Sequence, residues 1–220
     1  MFTLYTFGDS ILDCGHYNQE GLTPGQLLIR NDDRLFPEFR GRDLKSQGPC
    51  RLDHRAQDGA TVLDLPDQLA VRPARDPGAA LITIGGNDLL AGLIVDRGPG
   101  IETFEALLDA FVTELPIRPV FLGNVYDPTL GENSRNFLGL EPLGARSNLA
   151  RLNAAIGRVA ARHGHLVDLH QHFLAGDPSW FTLTIEPSLR GASEIRRCFL
   201  NALETEGILT PVAPPTRPHP

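Results

Sequence analysis

The chain has 220 residues, 41% hydrophobic and 21% charged, a composition typical of one globular domain and unlike that of a disordered protein. Its formal net charge of -7 argues against a nucleic-acid backbone or an anionic membrane as the main partner. No stretch approaches the roughly 18–20 apolar residues of a membrane span, and residues 1–8 lack the basic start of a secretory signal. Three cysteines without a CxxC pair argue against a zinc ribbon or a disulfide framework, so we expect a reduced, cytoplasmic protein.

Strand-like and helix-like segments alternate along the chain. Short apolar runs predict five strands, at Thr3–Phe7, Arg51–Arg55, Ala79–Ile84, Pro119–Leu122 and His165–Leu169. Apolar residues at helical spacing predict helices at Thr61–Val71, Ile101–Glu114, Ser147–Arg162 and Ser188–Leu203. Such alternation is typical of βαβ crossovers, so we expect one α/β domain over residues 1–205, with a five-stranded parallel sheet between two helical layers.

Two segments fall outside this pattern. Residues 13–48 are polar and Gly-rich, which is typical of a functional loop or a lid. Residues 206–220 end in a Pro-rich run and are expected to form a tail that hangs free or wraps the surface.

Arginines are frequent near residues 31–55 and alternate there with acidic residues, which favours a solvated, salt-bridged face over a site for an anionic substrate group. They are Arg30, Arg34, Arg40, Arg42, Arg51 and Arg55.

Small and polar residues follow the first three predicted strands. Ser10 follows Gly8 and Asp9 after the first strand, Gly59 follows the second, and Asn87 follows a Gly-Gly pair after the third. Each block alone is also common turn chemistry. Ligands of parallel sheets bind beyond the carboxyl ends of the strands, so the three are expected to meet in one cleft. There Ser10 is a candidate nucleophile, and Gly59 and Asn87 are candidate oxyanion donors, each worth roughly 2.7–4 kcal/mol.

In these blocks the sequence resembles the GDSL/SGNH hydrolases, a family of esterases and lipases with a flavodoxin-like fold. The resemblance implies that Ser10 is the nucleophile and that its own N–H joins Gly59 and Asn87 in the oxyanion hole. It also implies no cofactor, no metal and a small-molecule ester as substrate, without selecting the acyl or alcohol group.

The fourth block of the family, Asp-x-x-His-Pro, is altered here. The segment Leu183–Pro187 reads LTIEP, which places Glu186 at the histidine position and Leu183 at the aspartate position. We hypothesise a Ser10–Glu186 dyad, in which burial beside Leu183 raises the pKa of the glutamate and makes it a better base. Two alternatives stay open: Glu186 caps the last helix or pairs with Arg190, and His16 supplies the base.

Two late groups of residues have competing interpretations. Clustered histidines suggest a zinc site, although their spacing is not that of a known metal motif, and Asp168 is expected to bond the start of a helix. The histidines are His163, His165, His170 and His172. The aromatic residues Phe173, Trp180 and Phe181 either line an acyl pocket or belong to the core.

The leading interpretation of the whole sequence is an ester hydrolase. The rival interpretations are a non-catalytic binding protein that retains the fold and a metal-assisted hydrolase.

Overall fold

The computed structural model describes residues 1–69 and 77–210. Its central sheet has five parallel strands in the order β2-β1-β3-β4-β5. They are β1 (Phe2–Gly8), β2 (Cys50–His54), β3 (Gly78–Thr83), β4 (Val120–Gly123) and β5 (His165–Val167). A separate antiparallel hairpin joins β6 (Phe181–Thr182) and β7 (Glu186–Pro187). The predicted five-stranded parallel sheet is confirmed.

Helices cover both faces of this sheet, as parallel strands require. They are α1 (Pro24–Ile29), α2 (Leu65–Gln68), α3 (Gly86–Leu90), α4 (Gly100–Glu114), α5 (Pro142–His163), α6 (Leu169–Leu174) and α7 (Leu189–Thr205). One core cluster joins the sheet to α4 and α5, and a second joins it to α1 and α7. The three-layer α/β/α architecture is therefore confirmed. None of the helices in the described ranges combines the length and the apolar character needed to cross a bilayer.

The bounds of several helices differ from those predicted. α5 begins at Pro142 rather than at Ser147, because the side chain of Glu141 caps its first turn and accepts from Leu143 N and Gly144 N. The predicted helix over 61–71 is a 3-10 turn followed by the short α2, and its last two residues lie outside the described ranges. The fifth strand ends at Val167, because Asp168 caps α6 by accepting from Gln171 N. The helix-start role expected for Asp168 is confirmed.

The segment 13–48, which was expected to be a functional loop or a lid, contains a short helix and 3-10 turns that pack on the domain. Thr23 and Gln26 form a capping box that starts α1, which packs against α7. Further along, the fully buried Arg196 of α7 lies 3.5 Å from the ring centroid of Phe39 and donates to Asn31 Oδ1 at 2.9 Å. These contacts make the segment part of the core on the α7 face of the sheet.

The arginines of this region divide into two groups. Arg34 and Arg40 form exposed ion pairs, as predicted for a solvated face. Arg42 and Arg55 differ, because their side chains are only 27% and 10% exposed. Arg42 pairs with Glu204 at 2.8 Å, and Arg55 pairs with Asp53 at 2.9 Å and lies over the aromatic rings of β1, so these two arginines are salt-bridged as expected but are largely removed from solvent.

The chain beyond α7 remains attached to the domain as far as it is described. Leu209 is buried, and the backbone of Thr210 exchanges two hydrogen bonds with the side chain of Gln47. Residues 211–220, the Pro-rich end of the expected tail, lie outside the described residues.

Candidate active site

Ser10 sits on a tight turn at the end of β1. Gly8 has a φ of +114°, and a Cβ there would lie 1.6 Å from the carbonyl oxygen of Thr83, so only glycine fits. The side chain of Gln68 fastens Gly8 by accepting from its N–H at 2.7 Å and donating to its carbonyl at 2.8 Å. Asp9 N then donates to Thr83 O at 3.0 Å. The turn therefore presents the Ser10 side chain just beyond the carboxyl edge of the sheet.

Asp9 stabilises this turn through the hydrogen bonds that its buried carboxyl group accepts. Its carboxyl group is buried, and Oδ1 accepts from Ile11 N at 3.2 Å and from Thr83 Oγ1 at 2.9 Å. Burial raises the pKa of Asp9 to about 7, against the lowering effect of those two hydrogen bonds. Asp9 therefore changes charge near neutral pH directly beside Ser10.

Asn87 lies in the first turn of α3 and connects to the turn that contains Gly59. Asn87 Nδ2 donates to Ala60 O at 2.9 Å, which uses one of its two amide hydrogens. Gly59 has a φ of +79° with open space where a Cβ would be. Within the described ranges, the N–H groups of Ser10 and Gly59 have no protein acceptor. The N–H groups of Ser10 and Gly59 and the second amide hydrogen of Asn87 are thus hydrogen-bond donors without a described protein acceptor.

Asp88 fixes the chain that follows Gly59. Both of its carboxylate oxygens accept from Val62 N, each at 3.2 Å. Burial raises the pKa of Asp88 to about 6, and the Val62 hydrogen bonds oppose that rise. Adjacent residues of α3 thus hold the Gly59 turn, Asn87 through Ala60 and Asp88 through Val62.

Glu186 lies at the start of β7, on a hairpin with an unusual turn. Leu183 and Thr184 both have positive φ values, +45° and +78°, although neither is glycine. The buried Tyr126 holds the chain just before Glu186, since its hydroxyl donates to Ile185 O at 2.8 Å. The position of Glu186 is thus set by the hairpin and by Tyr126, outside the central sheet.

The carboxyl group of Glu186 is half-buried and incompletely paired. Burial raises its pKa; interaction with the Ser10 hydroxyl lowers it, the charge of Asp58 raises it and that of His16 lowers it. Within the described residues, Glu186 Oε2 is buried without a hydrogen-bond partner. The expected rise of the pKa through burial is confirmed, but Leu183 is not the residue that buries the carboxyl group, because Leu183 is 71% exposed.

The structural alternatives for Glu186 are also wrong. The residue that caps α7 is Ser188, whose hydroxyl accepts from Gly191 N. Arg190 donates to Ser179 Oγ at 3.0 Å rather than to Glu186. Glu186 therefore has neither of the two roles that would make it a purely structural residue.

His16, the other candidate base, belongs to a polar cluster at the surface. Its Nε2 lies 3.2 Å from Asp58 Oδ2, and Tyr17 donates its hydroxyl to the same oxygen at 2.7 Å. The His16 side chain is 50% exposed. Because Asp58 directly precedes Gly59, this His–Asp pair stands beside the glycine turn.

Ser10, Asn87 and Glu186 line one pocket. The residues that complete its wall are mainly apolar, and none belongs to the segment 13–48. Asp9, Ile11, Gly86, Leu89, Leu90, Ile94, Val125, Tyr126, Asp127, Pro128, Thr129, Asn136, Phe137, Leu138, Pro142, Ala145, Arg146, Leu149 and Ile185 form the rest of the lining. Most of these were missed by sequence reasoning, because no local pattern marks residues that meet only in the folded chain.

The aromatic residues proposed for an acyl pocket lie elsewhere. Phe173 stacks on Tyr126 with ring centroids 4.6 Å apart, and Trp180 and Phe181 pack edge-on or tilted against Phe173. Phe173 is buried in the core cluster on the α7 face, and Trp180 and Phe181 are partly buried and pack against that cluster. None of the three lines the pocket beside Ser10. The acyl-pocket interpretation of these residues is wrong, and the core interpretation is confirmed.

The late histidines do not converge. Three of them pair with different carboxylates: His163 with Asp109 at 2.8 Å, His165 with Glu206 at 3.0 Å and His172 with Glu194 at 2.9 Å. In residues 1–69 and 77–210, no group of three or more His, Cys, Asp or Glu side chains is arranged to hold a metal ion. The geometry gives no support to a metal-assisted hydrolase built on these histidines.

Comparison with known proteins identifies the fold and the family of the chain. The structure is similar to that of LAE5, an alpha/beta hydrolase enzyme from the metagenome of Lake Arreo, with 26% identity, coverage of 91% of this chain and 94% of that chain, and a TM-score of 0.63. Two more distant structures share the fold: the acetylxylan esterase Axe2 from Geobacillus stearothermophilus (20% identity, 90% and 92% covered, TM-score 0.64) and a lipase/acylhydrolase from Enterococcus faecalis (18% identity, 97% and 100% covered, TM-score 0.65). None of the curated proteins matches the chain. The model of the GDSL-like lipase/acylhydrolase family matches residues 6–192, a range that includes Ser10, Gly59, Asn87 and Glu186, and the chain therefore belongs to that family.

Proposed function

We propose that the protein hydrolyses carboxylic esters through an acyl-enzyme intermediate on Ser10. One observation carries this proposal: Ser10, Asn87 and Glu186, which come from three separate parts of the sequence, line the same pocket at the carboxyl edge of the sheet. Membership of the family supports an ester as the substrate class and implies no cofactor.

In the proposed reaction, the base and the oxyanion donors act in the same way in both half-reactions, the acylation of Ser10 and its deacylation. Glu186 accepts the proton of the Ser10 hydroxyl while Ser10 Oγ attacks the ester carbonyl carbon. The N–H groups of Ser10 and Gly59 and the second amide hydrogen of Asn87 donate to the resulting oxyanion. Glu186 returns the proton to the leaving alcohol, and water then repeats the sequence to release the carboxylic acid.

A carboxylate is a weak base for a serine hydroxyl, and the surroundings of Glu186 reduce this disadvantage. Burial raises its pKa above the ordinary value of 4.5, and one of its oxygens is buried without a partner. An unpaired buried oxygen is costly unless it gains a hydrogen-bond donor, which the Ser10 hydroxyl or a leaving alcohol would supply. A carboxylate has no tautomers, so it needs no aspartate of the kind that orients a catalytic imidazole.

The His16–Asp58 pair supports a second candidate base. An imidazole held by a carboxylate at 3.2 Å has the form of a conventional base and its orienting group. Its position outside the pocket lining and its exposure favour Glu186. The remaining rival, a non-catalytic binding protein, requires Ser10 to be unreactive.

Hydrolysis of p-nitrophenyl butyrate by Ser10→Ala, Glu186→Gln and His16→Asn variants tests these alternatives. We expect Ser10→Ala to abolish turnover and labelling by a fluorophosphonate, and Glu186→Gln to lower kcat by roughly 10²–10⁴-fold, the usual contribution of a general base. His16→Asn should change kcat less than tenfold. The reverse ranking would make His16 the base, and a wild-type protein that neither turns over nor is labelled would be a binding protein.

A double variant, Leu183→Asp with Glu186→His, sharpens the test by installing the family's usual fourth block. If Glu186 occupies the base position, this variant should retain far more activity than Glu186→Gln. Its kcat/KM should lose activity below the pKa of an imidazole, near 6.5. The wild-type acid limb should instead follow the carboxyl group of Glu186, whose pKa burial raises above the ordinary value of 4.5. Identical pH profiles for the two proteins would contradict the assignment.

A further inference from the structure

We infer that the pocket beside Ser10 binds the acyl part of the ester, and that this part is a medium-length aliphatic chain rather than an acetyl group. The inference rests on the proposed function and adds to it the substrate class. Its first support is the lining: apolar side chains of α3, of the 3-10 turn after it and of α5 face the space next to the nucleophile. They are Leu89, Leu90, Ile94, Ala145 and Leu149.

The rim of this pocket exposes apolar surface to water. Leu90, Phe137 and Leu138 all line the pocket, yet they remain 44%, 39% and 38% exposed. Exposed apolar side chains are ordinary when scattered, but these three adjoin one opening that leads to Ser10. Covering them with an alkyl chain would remove apolar surface of both partners from water, which favours binding.

The polar residues of the pocket are already paired with one another. Arg146 donates to Asp127 Oδ2 at 3.1 Å, to Thr129 Oγ1 at 3.1 Å and to Asn133 Oδ1 at 2.6 Å. Asp127 also accepts from Thr129. The guanidinium and carboxylate charges therefore neutralise each other, and this part of the wall offers little to a sugar or to an anionic group.

The side chain of Asn136 is engaged in the same way. Its amide nitrogen donates to Leu140 O, and its oxygen accepts from Leu138 N at 3.2 Å. These hydrogen bonds hold the loop that carries Phe137 and Leu138 at the rim. The amide thus shapes the opening instead of facing a polar substrate.

The position of the proposed base assigns the pocket to the acyl group rather than to the alcohol. The base must meet the leaving alcohol in order to return the proton, so the alcohol lies on the side of Glu186. The charges of Asp58 and His16, which lie outside the pocket lining, act on Glu186, and these two residues form an exposed polar cluster with Tyr17. A polar alcohol suits that side, and the apolar pocket is left for the acyl chain.

Two ester series test the inference on the wild-type protein. In p-nitrophenyl acetate, butyrate, octanoate and dodecanoate only the acyl chain varies, and in methyl, butyl and octyl acetate only the alcohol varies. We expect kcat/KM to rise at least tenfold from acetate to octanoate, since burial of each methylene is worth roughly fourfold in binding. The alcohol series should change much less.

Matched variants locate the effect. Leu90→Ser should lower the octanoate-to-acetate ratio of kcat/KM about tenfold, and Phe137→Ser should lower it in the same direction. Leu166→Ser is the control, because Leu166 is also 44% exposed but lies on β5 away from the pocket, and it should leave the ratio unchanged.

The outcomes separate this inference from the proposed function. Ser10-dependent hydrolysis of acetate with no preference for octanoate would overturn the acyl pocket and leave the hydrolase standing. A preference that grows with the alcohol and not with the acyl chain would assign the pocket to the leaving group. No Ser10-dependent hydrolysis of any ester would overturn both.

Discussion

The two halves of the proposed site are built in different ways. The donor side, formed by Ser10, Gly59 and Asn87, follows the ends of three strands of the central sheet. Its turns are held by hydrogen bonds of the buried side chains of Gln68 and Asp88. The base side, residues 183–187, is a hairpin outside the central sheet, with two non-glycine residues at positive φ. The fold therefore fixes the donor side directly, whereas it fixes the base side only through a few local contacts. The base is accordingly the part of the site whose residues can be substituted without loss of the fold.

Apart from the Ser10 and Glu186 variants, the largest expected effect comes from the donor side. Asn87→Ala removes an amide that bonds Ala60 O and, in the proposed mechanism, the oxyanion. We expect kcat to fall by roughly 10²–10³-fold, the usual cost of one oxyanion donor. Steady-state kinetics with p-nitrophenyl butyrate measures the change.

Asn31→Ala is the control for the Asn87 prediction. Asn31 is a buried asparagine with several hydrogen bonds, and it lies beside α7, away from the pocket. This variant should lower the melting temperature and leave kcat unchanged. Equal losses of kcat in both variants would indicate a general effect of stability and contradict the role of Asn87.

The next largest expected effect concerns Asp9, because its ionisation couples the turn beside Ser10 to the free energy of unfolding. Its pKa is about 7 in the folded chain, against an ordinary value of 3.8. An unfolded chain therefore loses this proton at a lower pH than the folded one, and the free energy of unfolding should fall as pH rises from about 4 to about 7. At roughly 1.4 kcal/mol per pKa unit, the full difference of about 3 units sets a ceiling of about 4 kcal/mol.

Asp9→Asn should remove this pH dependence, because an amide oxygen still accepts from Thr83 and Ile11 without carrying a charge. Urea unfolding at pH 5 and pH 8 should show a gain in stability at pH 8 that stays below the ceiling, and little or no gain at pH 5. Asp67→Asn, at an exposed position, controls for the loss of one formal charge. A variant less stable than wild type at pH 8 would show that the carboxylate is needed in its ionised form.

The donor side is also the half that the sequence predicts well. Ser10 and Asn87 follow the buried strands β1 and β3, and parallel topology brings strand ends together, so these two residues could be placed in one cleft without coordinates. The requirement for glycine at position 8, by contrast, comes from the fold, because the backbone of Thr83 on the neighbouring strand β3 lies where a Cβ would be. Five strands and the two longest helices follow from the same periodicity of apolar residues.

The base side and the pocket wall are predicted less well, for a physical reason. Leu183 was expected to bury Glu186, but the left-handed turn directs it into solvent, and the burial comes from the surrounding fold. The wall uses Leu90, Phe137 and Leu149, which are far apart in the chain and share no pattern. Likewise, Trp180 and Phe173 could belong to a pocket or to the core, and only the packing of α6 against α7 decides for the core.

A smaller effect is expected where Tyr126 holds the base side. Tyr126→Phe removes the hydrogen bond to Ile185 O but keeps the ring stacked on Phe173. We expect a loss of about 0.5–1.5 kcal/mol in the free energy of unfolding and a several-fold lower kcat, because the chain before Glu186 becomes less well fixed. Tyr17→Phe, which removes the bond to Asp58, should leave kcat nearly unchanged. If Tyr17→Phe has the larger effect on kcat, the His16–Asp58 pair takes part in the reaction.

The smallest effect tests whether the strained hairpin matters for the base. Thr184 has a φ of +78°, where a side chain costs roughly 1–2 kcal/mol that glycine avoids. Glycine also increases the entropy of the unfolded chain, so Thr184→Gly should gain only about 0.5 kcal/mol in thermal or urea unfolding. Thr182→Gly, within β6, should instead lose stability, because glycine weakens a strand. If Thr184→Gly gains stability and keeps kcat, Tyr126 and the strand pairing suffice to place Glu186; if it gains stability and loses kcat, the strain itself orients the carboxylate, and the base side is then as strictly built as the donor side.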